Sequence, residues 1–118
     1  MKKFGVEHIR VINFLENIGI SVKDVFIGDY FIAILTEKEI KKELRWILSK
    51  IYGKLILNYI YTKDVKEFIK QFSKDVEFDG EEVRISIPKK IFLAMVWFLK
   101  RNYGKTFKFV FVKRKECQ

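Results

Sequence analysis

The sequence predicts an α+β protein made of two tandem copies of one αββαβ unit. Three observations predict it. Residues 23–61 align without a gap on residues 74–112, and eleven of those 39 positions are identical. Each copy places a turn signal between two apolar runs, Gly28-Asp29 in the first and Asp79-Gly80 in the second. Each copy also spells a helix ending, as WILSKIYGK at 46–54 and WFLKRNYGK at 97–105. A repeat of this length constrains a fold more tightly than any short motif.

The elements follow in order. Residues 5–18 form a helix with Val11, Phe14, Leu15 and Ile18 on one side and a stop at Gly19. A hairpin follows, turning at Gly28-Asp29. In the next helix Ile40, Leu44, Ile47, Leu48 and Ile51 fall at helical spacing and form one apolar face. Gly53 and Gly104 suit the left-handed position just past a helix end, with Lys54 and Lys105 in reach of the last carbonyls. A strand then closes the first unit, 1–61. The second unit, 62–118, opens with Asp64 and Glu67 in a capping-box spacing, ahead of a helix over 65–73 carrying Val65, Phe68, Ile69 and Phe72. Its second helix, Ile91–Leu99, is apolar all round. Each unit is too small to be stable alone, so this helix is expected to supply a shared core in one compact body. In the last strand, KTFKFVFVKRK, Phe107, Phe109 and Phe111 alternate onto one face, the pattern of core residues.

Composition bounds the function. About half the residues are apolar, which argues against disorder. The one cysteine, Cys117, allows no internal disulfide, and nothing resembles a signal peptide, so a reducing, cytoplasmic setting is expected. The longest apolar run has nine residues, roughly half of a bilayer span, so no membrane partner is expected. Abundant Lys, Ile and Glu with little Gln point to a thermophile. His8 and Cys117 lie at opposite ends, which leaves no metal-ligand cluster. The six glycines are scattered, so no phosphate-cradling loop exists. Neither an enzyme nor a cofactor is expected, and nothing sets an oligomeric state.

Charge is placed unevenly. Residues 1–83 hold 14 Lys/Arg and 14 Asp/Glu, whereas residues 84–118 hold ten Lys/Arg against Glu116. The whole excess of +9 therefore lies in the last 35 residues. An anionic partner is expected, with RNA the first choice. Lys89 and Lys90 follow Pro88 at a helix start, where positive side chains would strengthen an anion site. Lys100, Arg101, Lys105, Lys113 and Arg114 complete the candidate nucleic-acid surface, with Lys115 trailing. In the first unit Lys38, Lys41, Lys42 and Arg45 are interleaved with Glu37, Glu39 and Glu43, which weakens any patch there.

The layout resembles a known family. Helix, hairpin, helix and strand make up most of a type II KH domain. Two such units in tandem are similar to the small archaeal NusA-like transcription factors. GVEHIRVINFLENIGISVKDVFIGDYFIAIL looks like the family's start, and YGKLILNYIYTKDVKEFIKQF resembles the stretch between its two KH domains. The likeness covers residues 5–112. It implies RNA binding in transcription termination or antitermination; on the alternative reading below, the scaffold binds a protein, RNA polymerase or a second copy of itself. One departure is large. A KH domain clamps about four nucleotides with a G-x-x-G loop. Here TEKEIKKE stands between Leu35 and Leu44, and PKKIFLA between Ile87 and Met95, with no glycine in either. Both loops are missing, and no RNA-contacting residue of the family has a counterpart. The expected function is binding of single-stranded RNA through the basic second unit. The alternative is a protein-interaction module on a degenerate KH scaffold. Exposure of Phe92, Trp97 or Phe98 would favour the latter, and a continuous basic face from Lys89 and Lys90 to Arg101 and Lys105 the former.

Overall fold

The computed structural model describes residues 6–113. The chain divides into two units, Met1–Thr62 and Lys63–Gln118. The first runs α1 (Val6–Asn17), β1 (Val22–Ile27), β2 (Phe31–Thr36), α2 (Lys42–Tyr52) and β3 (Leu55–Ile60). The second runs α3 (Val65–Lys70), β4 (Val76–Asp79), β5 (Glu82–Ile85), α4 (Lys89–Asn102) and β6 (Lys108–Phe111). The chain is thus α+β, with αββαβ written twice.

Each unit holds a three-stranded mixed sheet, ordered β1-β2-β3 or β4-β5-β6. The hairpin strands pair antiparallel, and the strand after the helix returns parallel to the middle one. The hairpin register keeps the 51-residue offset, since Val25 faces Ile34 as Val76 faces Ile85. The parallel register does not. Ile32 lies beside Ile56, but Val83 lies beside Phe109 rather than Phe107. The last strand has slid by two residues. Side chains alternate with period two, so the slide keeps every residue on its face.

The core of the first unit gathers Val11 and Leu15 of α1, Val25, Ile32 and Ile34 of the hairpin, Leu48 of α2 and Ile56 of β3. Phe14 meets Tyr52 edge-on at 6.3 Å. The second unit repeats this contact with Phe68 of α3, whose ring lies 5.0 Å from that of Tyr103. Phe68, Ile69, Val83, Ile85, Met95 and Phe98 are fully buried there. Gly53 and Gly104 end the second helix of each unit in the left-handed region, at φ 65° and 61°.

Six expectations need correction. Ile47 and Ile51 are exposed, so the buried face of α2 is narrower than its apolar spacing. Ile40 is buried but precedes the helix. Lys54 does not reach the helix carbonyls; its Nζ donates to the Gly28 carbonyl of the hairpin turn at 2.9 Å. The capping box is half made: Asp64 accepts from the Lys66 amide at 3.0 Å, while Glu67 pairs with Lys70, and α3 stops at that residue. The helix Ile91–Leu99 is not buried all round, because Leu93 is 55 % exposed. Finally, Phe107, Phe109 and Phe111 are not core. Phe107 and Phe109 are half-buried and Phe111 is exposed, because Phe107 precedes β6 and that strand is the edge of its sheet.

Candidate nucleic-acid interface

The two units carry a cleft at the same place, where the first helix ends, the middle strand ends and the second helix begins. In the first unit Ile18–Ser21 and Glu37–Lys41 line about 520 Å³. In the second, Lys70–Asp75, Ser86–Pro88 and Phe111–Lys113 line about 850 Å³. The charge differs between them. Lys38 and Lys41 are balanced by Glu37 and Glu39 in the first cleft. Lys70, Lys74 and Lys113 face only Asp75 in the second.

The floor of the second cleft is knitted by two serines. Ser73 Oγ donates to the Ser86 carbonyl at 2.5 Å and accepts from the Asp75 amide at 3.0 Å. The Ser86 amide donates to the Asp75 carbonyl at 3.0 Å. This ties the end of α3 to the end of β5 and holds Lys74 at the rim. Pro88, on the cleft wall, is the N-cap of α4, and no side chain caps that helix. Its first turn contains no acidic residue, whereas that of α2 contains Glu43. The positive end of the helix dipole therefore adds to the lysines in favouring an anion. Lys70 is paired with Glu67 at 3.2 Å. Among the described residues, no carboxylate pairs with Lys74, Lys89 or Lys113.

The predicted site residues fall into two groups. Lys89 and Lys90 are exposed in the first turn of α4, beside the cleft that Lys113 lines. Lys100 and Arg101 sit in the last turn of the same helix, about 16 Å away by helical rise. Lys105 follows them, exposed. Arg101 is half-buried, its guanidinium 4.8 Å from the centre of the Trp97 ring. The face expected to join Lys89 and Lys90 to Arg101 and Lys105 is thus split between the two ends of one helix. Arg114 and Lys115 lie outside the described residues, as does Cys117. Lys70 and Lys74 were not among the predicted site residues. The signal for them was the repeat itself, since the segment after α3 occupies the place of the segment after α1. Of the aromatic residues tied to protein binding, Phe98 is fully buried, and Phe92 and Trp97 are half-buried.

Among the described residues, no group of three His, Cys, Asp or Glu side chains could hold a metal ion. No helix of the described chain is long and apolar enough to cross a membrane. No family model matches the chain, and no curated protein matches it in sequence. The fold is similar to that of a solved protein, APE1850, with a TM-score of 0.63 over 92 % of this chain and 100 % of that one, at 16 % identity, so that what the two are shown to share is the fold.

Proposed function

We propose that this chain is a non-catalytic RNA-binding protein of the NusA-like, tandem KH-like kind, cytoplasmic and acting in transcription termination or antitermination. The supporting observation is the repeated cleft, neutral in the first unit and basic in the second. A cleft retained in both copies but charged in only one is what a scaffold with one phosphate-binding half requires. The αββαβ order and the excess positive charge after residue 83 agree with it. Without G-x-x-G loops, RNA is held by lysines and the α4 N-terminus rather than by a backbone clamp.

The test is fluorescence anisotropy of a labelled single-stranded RNA, titrated at low and moderate salt beside the matching DNA. Binding is expected to be stronger for RNA. Its log–log salt slope should be about −2 to −3, the value for three or four phosphates neutralised on a single strand. Lys74→Glu with Lys113→Glu should weaken it at least about tenfold, and Lys38→Glu with Lys41→Glu should leave it unchanged. Absence of binding at low salt, or equal effects of the two pairs, would refute the proposal.

A second reading has its own observation. Trp46 is 63 % exposed, with Ile47, Ile51 and Leu55 also exposed around the end of α2. A protein-interaction module would use this face of the first unit, since Phe98 of α4 is buried.

A further inference from the structure

The second unit has another cavity, of about 200 Å³, between α4 and the chain leading into β6. Phe92, Val96, Phe107 and Phe109 wall it. Lys100 and Lys105 also line it, and both are exposed, so they stand at its mouth. Among the described residues neither lysine has an ion-pair partner. The rings meet edge-on, Phe92 against Phe109 at 5.2 Å and 84°, and Phe107 against Phe109 at 6.1 Å and 60°. Phe92 also meets Phe111 at 4.7 Å and 69°; each edge-on pair covers a face of only one of its two rings, so the walls keep aromatic surface for a flat guest.

These features select a ligand. The volume is below the roughly 300–1,000 Å³ of sites for drug-sized molecules, so it suits one small ring system. The walls are apolar and aromatic, which suits a planar heterocycle with a π-face. Two unpaired cations at the opening suit an anionic group joined to that ring. A nucleotide combines these properties, and stacking on an aromatic side chain is tolerant of base identity. A base inside a duplex is already stacked on both faces and cannot enter. We propose that this cavity receives one unstacked base of a single-stranded RNA, with the adjoining phosphate on Lys100 and Lys105. The inference rests on the RNA-binding reading and adds a second contact, toward the other end of α4 from the basic cleft.

The full chain would be titrated with a ten-nucleotide oligouridylate, with a ribose-phosphate oligomer of the same length lacking bases, and with duplex RNA. The oligouridylate should bind at least about tenfold tighter than the abasic oligomer. Thr106→Trp, an exposed change on the cavity wall, and Phe107→Ala should each bring that ratio close to one while leaving the abasic affinity unchanged. An oligouridylate carrying 4-thiouridine should photo-crosslink to Phe92, Phe107 or Phe109. Equal affinity for the base-containing and abasic oligomers overturns the cavity proposal and leaves the basic-cleft reading standing. So does a tenfold ratio that persists in Thr106→Trp, or crosslinks confined to residues 70–75 and 111–113. Absence of binding by all three probes overturns both.

Discussion

Asn58 fastens the loop between β2 and α2. Its Oδ1 accepts from the Ile40 amide at 2.8 Å, and its Nδ2 donates to the Ile34 carbonyl and to Thr36 Oγ1, both at 3.0 Å. Thr36 in turn donates to the Lys38 carbonyl at 2.7 Å. One amide thereby joins β2, β3 and the residues ahead of α2, and seats Ile40 in the core. Asn58→Ala should destabilise the protein by about 2 to 3 kcal/mol in urea unfolding, because partly buried partners lose their mates. Asn58→Asp, which keeps the acceptor for Ile40 but loses both donors, should be no milder. None of this was legible in the sequence. The repeat sets Asn58 against Phe109, and a pairing across 18 or 24 residues leaves no local pattern. Identity between the copies also proved a poor guide to role. Asp24 is 1 % exposed whereas Asp75 is exposed, and Lys54 bonds the hairpin turn whereas Lys105 lines a cavity. The left-handed glycines were legible because backbone geometry past a helix end is a local matter.

Elements were the level at which the sequence spoke most clearly. Element order and hairpin positions follow from turn residues and apolar periodicity, both of which act over a few residues. What a face packs against is a tertiary fact, and there periodicity misled. Ile47 and Ile51 share the spacing of core residues, yet they are 47 % and 55 % exposed while Leu48 is fully buried. Ile47→Glu and Ile51→Glu should therefore change stability by no more than about 0.5 kcal/mol each. Leu48→Ala should cost about 2 to 5 kcal/mol. Chemical denaturation of the three variants checks this, and a large loss from either glutamate would mean the face is covered. The alternating phenylalanines near β6 misled in the same way. Alternation identifies a strand face, but an edge strand can leave that face half open.

At the scale of the whole molecule, charge and proton uptake make separable statements. The basic cleft was legible only in outline: the excess charge was visible along the chain, but its gathering around Ser73 and Ser86 depends on two segments meeting. Burial of two phenols, Tyr59 above all, contributes to stability at alkaline pH. Burial pushes the Tyr59 and Tyr52 hydroxyls above the ordinary tyrosine range, because the ionised ring is poorly solvated there. The folded protein then holds those protons more tightly than the unfolded chain does. Stability should be full below about pH 10 and fall as pH rises beyond it, where the unfolded phenols ionise first. Tyr59→Phe should flatten that decline in thermal unfolding measured from pH 9 to 11, and an unchanged slope would count against the burial account.

The slide of β6 shows how such a chain can diversify without rebuilding. Two residues, Gly53 and Lys54, separate α2 from β3, whereas five separate α4 from β6. The extra length is slack in a connector, and a step of two lets the strand take it up with no side chain turned over. The tight copy spends its connector on a bond to its own hairpin; the loose copy has chain left over, and Phe107 and Lys105 lie in that surplus. Connector length thus behaves as a dial independent of the sheet, and in the second unit the longer connector walls an opening beside the same helix and strand.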